Sequence, residues 1–553
     1  MALAAATPLL LLVDVDDDGG EHALMVTAAT TAAAADTAYP MRFLLTLTFS
    51  LDDSRERRER GDDGSILAGR RGGGPMGSIP IGSRLWWLDV QVIARTSSVV
   101  VIGGGPGGYE AALVAARLGA TVTVVDRDGL GGSCVLTDCV PSKSLIATAH
   151  VLRRTGAAVE AGVDVAPTEV TDLRAVNARI LALASAQSQD IAARLVADGV
   201  RVCRGTGRLV GPGRVRAEFA DGGSQDIEAD VVLIATGATP RVMATAVPDG
   251  ERILTWTQIY GLESVPEKLI VVGSGVTGAE LAQAYLGLGG QVTLVSSREQ
   301  VLPGEDTDAA RVIEEVFRRE GMEVLSRSRM SAVERTADGV IVRLEDGREV
   351  TGSHALLAVG SIPATRGLGL EEVGVEVGPG GHILVDGVSR TSVRGVYAAG
   401  DCTGVFPLAS VAAQQGRIAM WHALGDAVTP LRLHVVSANV FTDPEIATVG
   451  VSQQDIESGE VDAQIVMLPL ATNARAKMDS FHDGFVKIFA RPGQGTVLGG
   501  VVVAPRASEL IYPLTIAVEN GLTADDLSNA FTVYPSISGS IGEAARRLHV
   551  AIR

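Results

Sequence analysis

Two of the four cysteines in this 553-residue chain stand in one short stretch, GGSCVLTDCVPSK, residues 131–143. Two thiols separated by four residues, Cys134 and Cys139, can form a disulfide, exchange electrons, or contribute half of a metal site. A structural zinc site needs four ligands, and no second Cys/His pair lies nearby to complete one. We therefore expect no metal. Four cysteines are too few for a disulfide scaffold and fit a reducing compartment, where a close pair is more often catalytic than structural. Cys203 and Cys402 stand alone and read as small buried core residues.

A redox pair needs a partner in electron transfer, and two Gly-rich turns supply one. Gly103-x-Gly105-x-x-Gly108 follows the apolar run SSVVVI, precedes an Ala-rich helical stretch, and is followed by TVTVVD. This is a βαβ unit in which the first glycine makes the turn, the second lets backbone approach a pyrophosphate, and the third lets helix pack on strand. The helix N-terminus then offers unpaired N–H groups to phosphate. Asp126, 23 residues after Gly103, stands where a carboxylate can hold ribose hydroxyls. A second unit repeats the pattern at Gly273-x-Gly275-x-x-Gly278. Its second strand ends in Ser296, Ser297 and Arg298 rather than an acid. Without the carboxylate a 2′-phosphate is not repelled, and these three side chains can donate to it. We expect NADPH to be preferred over NADH, or both to be used; Arg298 as a merely solvated charge is the alternative. Two different nucleotide sites imply two carriers in electronic contact, with a flavin in the first. VLIATGATP and RGVYAAGDC support this, each a strand entering a Gly turn. They contribute Thr236, Gly237, Gly400 and Asp401, and Gly132 and Gly360 complete the glycines expected at the cofactors.

Composition narrows the class. The formal net charge is −18, which repels phosphate backbones and anionic lipid, so neither nucleic acid nor a membrane surface is an expected partner. No run of about 18 apolar residues marks a membrane span. The N-terminus lacks a basic region before its apolar stretch, so a secretory signal is not expected, and we place the chain in the cytoplasm. Residues 1–94 carry low-complexity, charge-run and Gly/Arg-rich segments with no sustained period; they read as an extension without a packed core.

These motifs together resemble the flavoprotein pyridine-nucleotide disulfide oxidoreductases, most closely the dihydrolipoamide dehydrogenase branch, from about residue 97 to the C-terminus. The resemblance implies an α/β protein with two Rossmann-like domains and a C-terminal α+β dimerisation domain. The FAD-binding domain would occupy 95–250 and 369–432, the NAD(P)-binding domain 251–368 and the dimerisation domain 433–553. It implies FAD and NAD(P)H as cofactors and a homodimer as the active form. It also implies that Cys139 is the sulfur nearer the flavin, that Cys134 exchanges with substrate, and that Lys143 lies beside the flavin and pairs with Glu280. FTDPEIATVG, 441–450, resembles the opening strand of the interface domain.

One part of the pattern breaks. Disulfide-reducing members carry a His-Pro-Thr-x-x-Glu signature, whose histidine moves the proton of the exchange thiol. The corresponding stretch is TVYPSISG, 532–539, with Tyr534 at the histidine position and Gly539 at the glutamate position. A thiol of pKa ~8.5 needs a base. A histidine near ~6.5 serves at neutral pH, whereas a tyrosine near ~10 does so poorly, and the loss costs roughly 10²–10⁴ in rate. No cysteine follows Cys402, which argues against branches with a second C-terminal pair. The combination resembles the actinobacterial NAD(P)H quinone reductase branch. We therefore expect hydride transfer from NAD(P)H to FAD and onward transfer to a small acceptor, a quinone. A disulfide reductase with an atypical base and a flavin redox sensor remain alternatives. Tyr534 either fills space at the dimer interface or serves a quinone oxygen.

Overall fold

The strand Ser98–Ile102 is apolar and buried from its second residue on, as a strand covered on both faces must be. In the computed structural model it is the centre of a five-stranded parallel sheet. That sheet runs, in order, Val396–Ala398, Val231–Ile234, Ser98–Ile102, Thr121–Asp126 and Arg201–Arg204. The edge strand Val396–Ala398 returns from far along the chain, so the first domain is closed by a late segment. The structure describes residues 9–12, 25–30, 45–49, 96–160, 162–163 and 171–552.

Within the first 91 residues, a unit of its own, three strands are described: Leu9–Leu12, Met25–Thr30 and Leu45–Phe49, paired antiparallel. The expectation of an irregular extension over 1–94 otherwise falls outside the described residues.

Helix Pro106–Arg117 begins with proline in its first turn, where no backbone donor is lost. It lays Ala111, Ala112, Leu113 and Ala115 on the sheet. Helix Ala409–Ala423 packs beside it so closely that a Cβ on Gly416 would stand 2.0 Å from the Gly107 carbonyl oxygen.

The second domain repeats this plan. Its parallel sheet orders Ile253–Thr255, His354–Leu357, Lys268–Val272, Gln291–Val295 and Glu323–Leu325, with helix Val276–Gly287 on the central strand. Each domain also carries a three-stranded antiparallel sheet, 206–228 in the first and 330–352 in the second.

The last domain is an antiparallel sheet ordered Ser437–Val440, Glu445–Gly450, Val497–Ala504, Phe485–Ala490 and Gln464–Pro469. Helix Gly539–Ile552 closes it, burying Ile541, Ala544, Ala545 and Leu548. Among the described residues no helix is long and apolar enough to cross a membrane, and no cluster of three or more His, Cys, Asp or Glu could hold a metal.

Candidate active site

The two fingerprint turns have the same internal geometry, and it explains each glycine. Gly103 and Gly273 have φ of +101° and +111°, the left-handed region that glycine adopts without strain. A Cβ there would strike the carbonyl oxygen of the adjacent parallel strand, Ala235 at 2.3 Å and Ala358 at 2.2 Å. Gly108 and Gly278 sit against the first glycine of their own turn; a Cβ would lie 1.9 Å from its carbonyl oxygen in both cases. Gly105 and Gly275 face open space, with nothing within 4 Å of an added Cβ. That is the cradle a pyrophosphate needs at the helix N-terminus.

The first turn fits a flavin nucleotide on further grounds. The Thr236 hydroxyl is buried with no hydrogen-bond partner, and such groups ordinarily have one. Gly237, at φ +68°, has open space beside it. Gly400 donates its N–H to Gln415 Oε1 at 2.8 Å and sets Asp401 at the start of a short turn, 401–403. Burial pushes the Asp401 carboxyl up, His382 working against it. Asp126 accepts from the N–H groups of Gly104 at 2.7 Å, Gly129 at 2.6 Å and Asp128 at 3.0 Å. A carboxylate has about four acceptor sites, so one remains for a ribose hydroxyl while the other three shape the turn.

At the second turn the three residues expected to meet a 2′-phosphate divide. Ser296 is fully buried. Its hydroxyl is shared with Ser274 at 2.7 Å and accepts the Arg298 N–H at 3.1 Å. It does not face outward as a donor; it ties down the loop that presents the other two. Ser297 and Arg298 are exposed, and the loop is strapped from behind by the Arg327 N–H, which donates to the Arg298 carbonyl at 2.8 Å. Gly360, at φ +92°, has open space at the end of the neighbouring strand.

The cysteine segment is seated on the first fingerprint turn. Gly131 donates its N–H to the Gly104 carbonyl at 2.8 Å, and a Cβ on Gly132 would lie 2.9 Å from Gly105 Cα. Cys134 lies on the short helix Gly132–Leu136 and Cys139 opens helix Cys139–Glu160. Both are free, half-buried thiols joined by a hydrogen bond. That bond lowers the Cys134 thiol and, with burial and the charges of Cys134 and Asp138, pushes Cys139 far up. Cys203 and Cys402 are buried, and burial takes Cys402 up to about 11, which leaves the Cys402 thiol a poor nucleophile.

One turn into the cysteine helix, Lys143 Nζ lies 2.8 Å from Glu280 Oε2 and 5.0 Å from the centre of the Phe441 ring. Glu280 is only 2% exposed, and its other oxygen accepts the Phe441 N–H at 2.8 Å. Burial works against the Lys143 charge, but the pairing with Glu280 outweighs it and the amine is raised. Three domains meet at this one carboxylate.

Tyr534 does not join the site within one chain. Its side chain is 86% exposed, and Phe531 and Val533 beside it are exposed too. Gly539 begins the last helix. His549 pairs with Asp525, but it lies ten residues along that helix from Gly539, about 15 Å at 1.5 Å per residue. The histidine position itself is filled by Tyr534.

Three residues escaped the sequence reading. Tyr260, buried beside Asp138 and Glu280, carried no signal. Gln283 grips Asp443, donating to its carbonyl at 2.8 Å and accepting its N–H at 2.7 Å. Lys487 is 1% exposed and contacts Asp306, Asp308 and Gln453 at 2.6–2.9 Å. A lysine inside the apolar strand FVKIFA was a visible sign of a buried pair.

Two dinucleotide cradles, with a dithiol and a buried Lys–Glu pair seated on the first, define a nicotinamide- and flavin-dependent oxidoreductase. Comparison with known proteins agrees. The pyridine nucleotide-disulphide oxidoreductase family matches residues 97–416 and its dimerisation domain matches residues 436–545. An NAD(P)H dehydrogenase (quinone) of Mycobacterium tuberculosis is 55% identical over 461 residues, covering 81% of this chain and 93% of the relative. A dihydrolipoyl dehydrogenase of Haloferax volcanii is 35% identical over 467 residues, 83% of this chain and 97% of the relative. The crystal structure of LpdA from M. tuberculosis superposes with a TM-score of 0.79 at 54% identity, over 82% of this chain and all of that one. This chain belongs to the pyridine nucleotide-disulphide oxidoreductase family, whose enzymes work with FAD and NAD(P)H.

Proposed function

We propose that the protein is an FAD-dependent NAD(P)H:quinone oxidoreductase. One observation carries the reading: the flavin-side half of the site is complete while the thiol-base half is missing. Lys143 and Glu280 are paired at 2.8 Å, but Tyr534 and Gly539 occupy the histidine and glutamate positions. The relative named NAD(P)H dehydrogenase (quinone) supports the same acceptor class.

Bound FAD supplies a two-electron relay between NAD(P)H and the acceptor. The chain's own residues hold the relay in place. Gly105 and Gly275 admit the two pyrophosphates. Thr236 and Asp401 offer hydrogen bonds to the flavin nucleotide. Lys143, kept charged by Glu280, provides a fixed positive charge near the reacting ring, and such preorganised charge stabilises negative charge that develops there. Cys134, burial and Asp138 push the Cys139 thiol up, away from the thiolate that exchange chemistry needs. Ser297 and Arg298 favour NADPH.

A homodimer is part of the reading. The exposed apolar stretch Phe531–Tyr534 in the dimerisation domain would be covered by a second copy, which brings Tyr534 towards the partner's cysteines. A cytoplasmic setting fits the few cysteines and the acidic charge.

The test is steady-state NADPH oxidation by the purified, FAD-loaded protein. Turnover with a benzoquinone or naphthoquinone and none with lipoamide is expected; comparable lipoamide turnover overturns the proposal in favour of a disulfide reductase. Cys134→Ser should keep most of the quinone activity. A loss beyond about a hundredfold, roughly 2.7 kcal/mol of barrier, would put the dithiol on the electron path.

A further inference from the structure

A lysine amine rides on a flexible four-carbon stem and, left alone, samples many positions. Lys143 is restrained on two sides. Its Nζ meets Glu280 Oε2 at 2.8 Å. The Phe441 ring stands against it, with Nζ 5.0 Å from the ring centre, inside the ~6 Å over which an aromatic face attracts a cation. The Lys143 side chain is nevertheless 29% exposed, against 2% for Glu280. The amine therefore keeps an open side.

Phe441 needs a hold of its own. It lies between strands Ser437–Val440 and Glu445–Gly450 and outside their ladder. The second domain supplies the hold, through one face of helix Val276–Gly287. Glu280 and Gln283 are three residues apart and so share that face; both are buried. Glu280 Oε1 accepts the Phe441 N–H at 2.8 Å. Gln283 takes both backbone groups of Asp443, donating to its carbonyl at 2.8 Å and accepting its N–H at 2.7 Å. A side-chain amide can do this because it carries a donor and an acceptor side by side. Gln283 is braced in turn: its Nε2 lies 3.4 Å from Glu320 Oε2, and Arg153 pairs with Glu320 and stands 3.5 Å from the Asp443 carboxylate. One carboxylate, Glu280, thus sets both the lysine and the backbone that carries the ring, and Gln283 fixes that backbone two residues on.

We propose that Gln283 and Phe441 are positioning residues of this oxidoreductase that act through Lys143: Gln283 holds the 441–443 turn, the turn holds the Phe441 ring against the amine, and the ring leaves the Lys143 charge facing its open side. That role rests on the reading that Lys143 stands beside the flavin. Charge fixed in advance favours negative charge that develops next to it. An amine freed from the ring turns towards water, and reduction of the flavin is then less favoured.

The flavin midpoint potential reads this without reference to turnover. It is measured by spectroelectrochemistry on the FAD-loaded protein, in a Cys134→Ser background that takes the dithiol couple out of the titration. Phe441→Leu removes the aromatic face, and Gln283→Met keeps the length but cannot bridge the Asp443 backbone. Each should disfavour flavin reduction about tenfold, a fall of about 30 mV for two electrons. Phe441→Tyr, which keeps the ring, should hold the parent's potential. In a Lys143→Met protein neither Phe441→Leu nor Gln283→Met should shift the potential further, because residues that act through one another are non-additive. A purely structural role would lower the unfolding temperature and leave the potential where it was. A potential that falls in Lys143→Met but not in either Phe441→Leu or Gln283→Met overturns the proposal, as do shifts that persist in the Lys143→Met protein. An unchanged potential in Lys143→Met itself takes the lysine away from the flavin, and the proposal falls with that reading.

Discussion

The second and third glycines of the second fingerprint should respond to the same substitution in opposite ways. Gly275 has φ −72° and ψ −175°, a conformation alanine adopts freely, and an added Cβ meets nothing within 4 Å. Gly275→Ala should fold as well as the parent or gain about 0.4–1 kcal/mol from a less flexible unfolded chain. That open space is nevertheless where a pyrophosphate would approach the helix N-terminus. A methyl there holds the phosphate off its N–H donors. Losing one charge-assisted hydrogen bond costs about 1.5–3 kcal/mol, or roughly ten- to hundredfold in NADPH affinity. Gly278→Ala is the reverse case. Its Cβ would stand 1.9 Å from the Gly273 carbonyl oxygen and 3.3 Å from the Ala358 side chain, so helix and strand must part, at about 1–3 kcal/mol or more. Calorimetric titration with NADPH and thermal unfolding of both variants separate the two effects. The reasoning fails if Gly275→Ala binds NADPH within twofold of the parent, or if Gly278→Ala unfolds at the parent's temperature.

Glu280→Gln should cost about 1–3 kcal/mol by leaving the buried Lys143 amine without its counter-charge. Because Lys143 is raised in the folded protein, the pair is intact below its ordinary value of ~10.4 and is lost only as pH rises through the folded value. The deficit, read from denaturant unfolding, should thus be constant between pH 6 and 9. Lys487→Met should cost about 3 kcal/mol, the lower end for a broken buried pair, because Asp306 keeps its bonds from the Asp308 and Ala309 N–H groups. Faster hydrogen exchange in helix Thr307–Arg319 and strand Phe485–Ala490 would report it. The Lys487 hydrogen bond holds the Asp308 carboxyl below its usual range, so this stabilisation is present above pH ~4 and lost as pH falls through the lowered value. Arg298→Ala should raise the KM for NADPH at least tenfold and leave that for NADH within about twofold; equal effects on both would return Arg298 to a solvated surface charge.

The parts of the site built from local pattern were legible in the chain. Each fingerprint is contiguous, so its glycine spacing, the strand before it and the helix after it could all be read, and Lys143 and Glu280 followed from resemblance. The side chains that misled or escaped are those whose surroundings come from distant segments. Ser296 looked like a phosphate donor because it follows its strand; its hydroxyl turns inward because Ser274, 22 residues earlier, lies 2.7 Å away. Glu280 takes its second partner from Phe441, 161 residues on. The segment ASELIYPLTIAVENG has the apolar spacing of one helix, but it breaks into Ala507–Leu510 and Tyr512–Asn520, with Pro513 at the start of the second, where proline is accommodated. Gln464–Pro469 carries a weak strand signal because it lies at the sheet edge and three of its six residues are exposed, with one fully buried position to mark the inner face.

The cysteine motif can outlast thiol exchange because its architecture does other work. Residues 131–143 carry the Gly131 bond to Gly104 and the contact of Gly132 with Gly105, and they start the helix that presents Lys143 to Glu280. Removing the histidine and glutamate from the far end of the chain leaves all of these untouched, since Tyr534 and Gly539 touch none of them within the chain. A dithiol substrate that exchanges at Cys134 then finds no base in place, Tyr534 filling the histidine position and His549 standing ten residues, about 15 Å, along the last helix from Gly539. An acceptor that takes electrons from the flavin side needs only the nucleotide cradles, the Lys143 charge and one proton. The same sequence change that closes the first route leaves the second open, and so the acceptor is better read from TVYPSISG than from the cysteines.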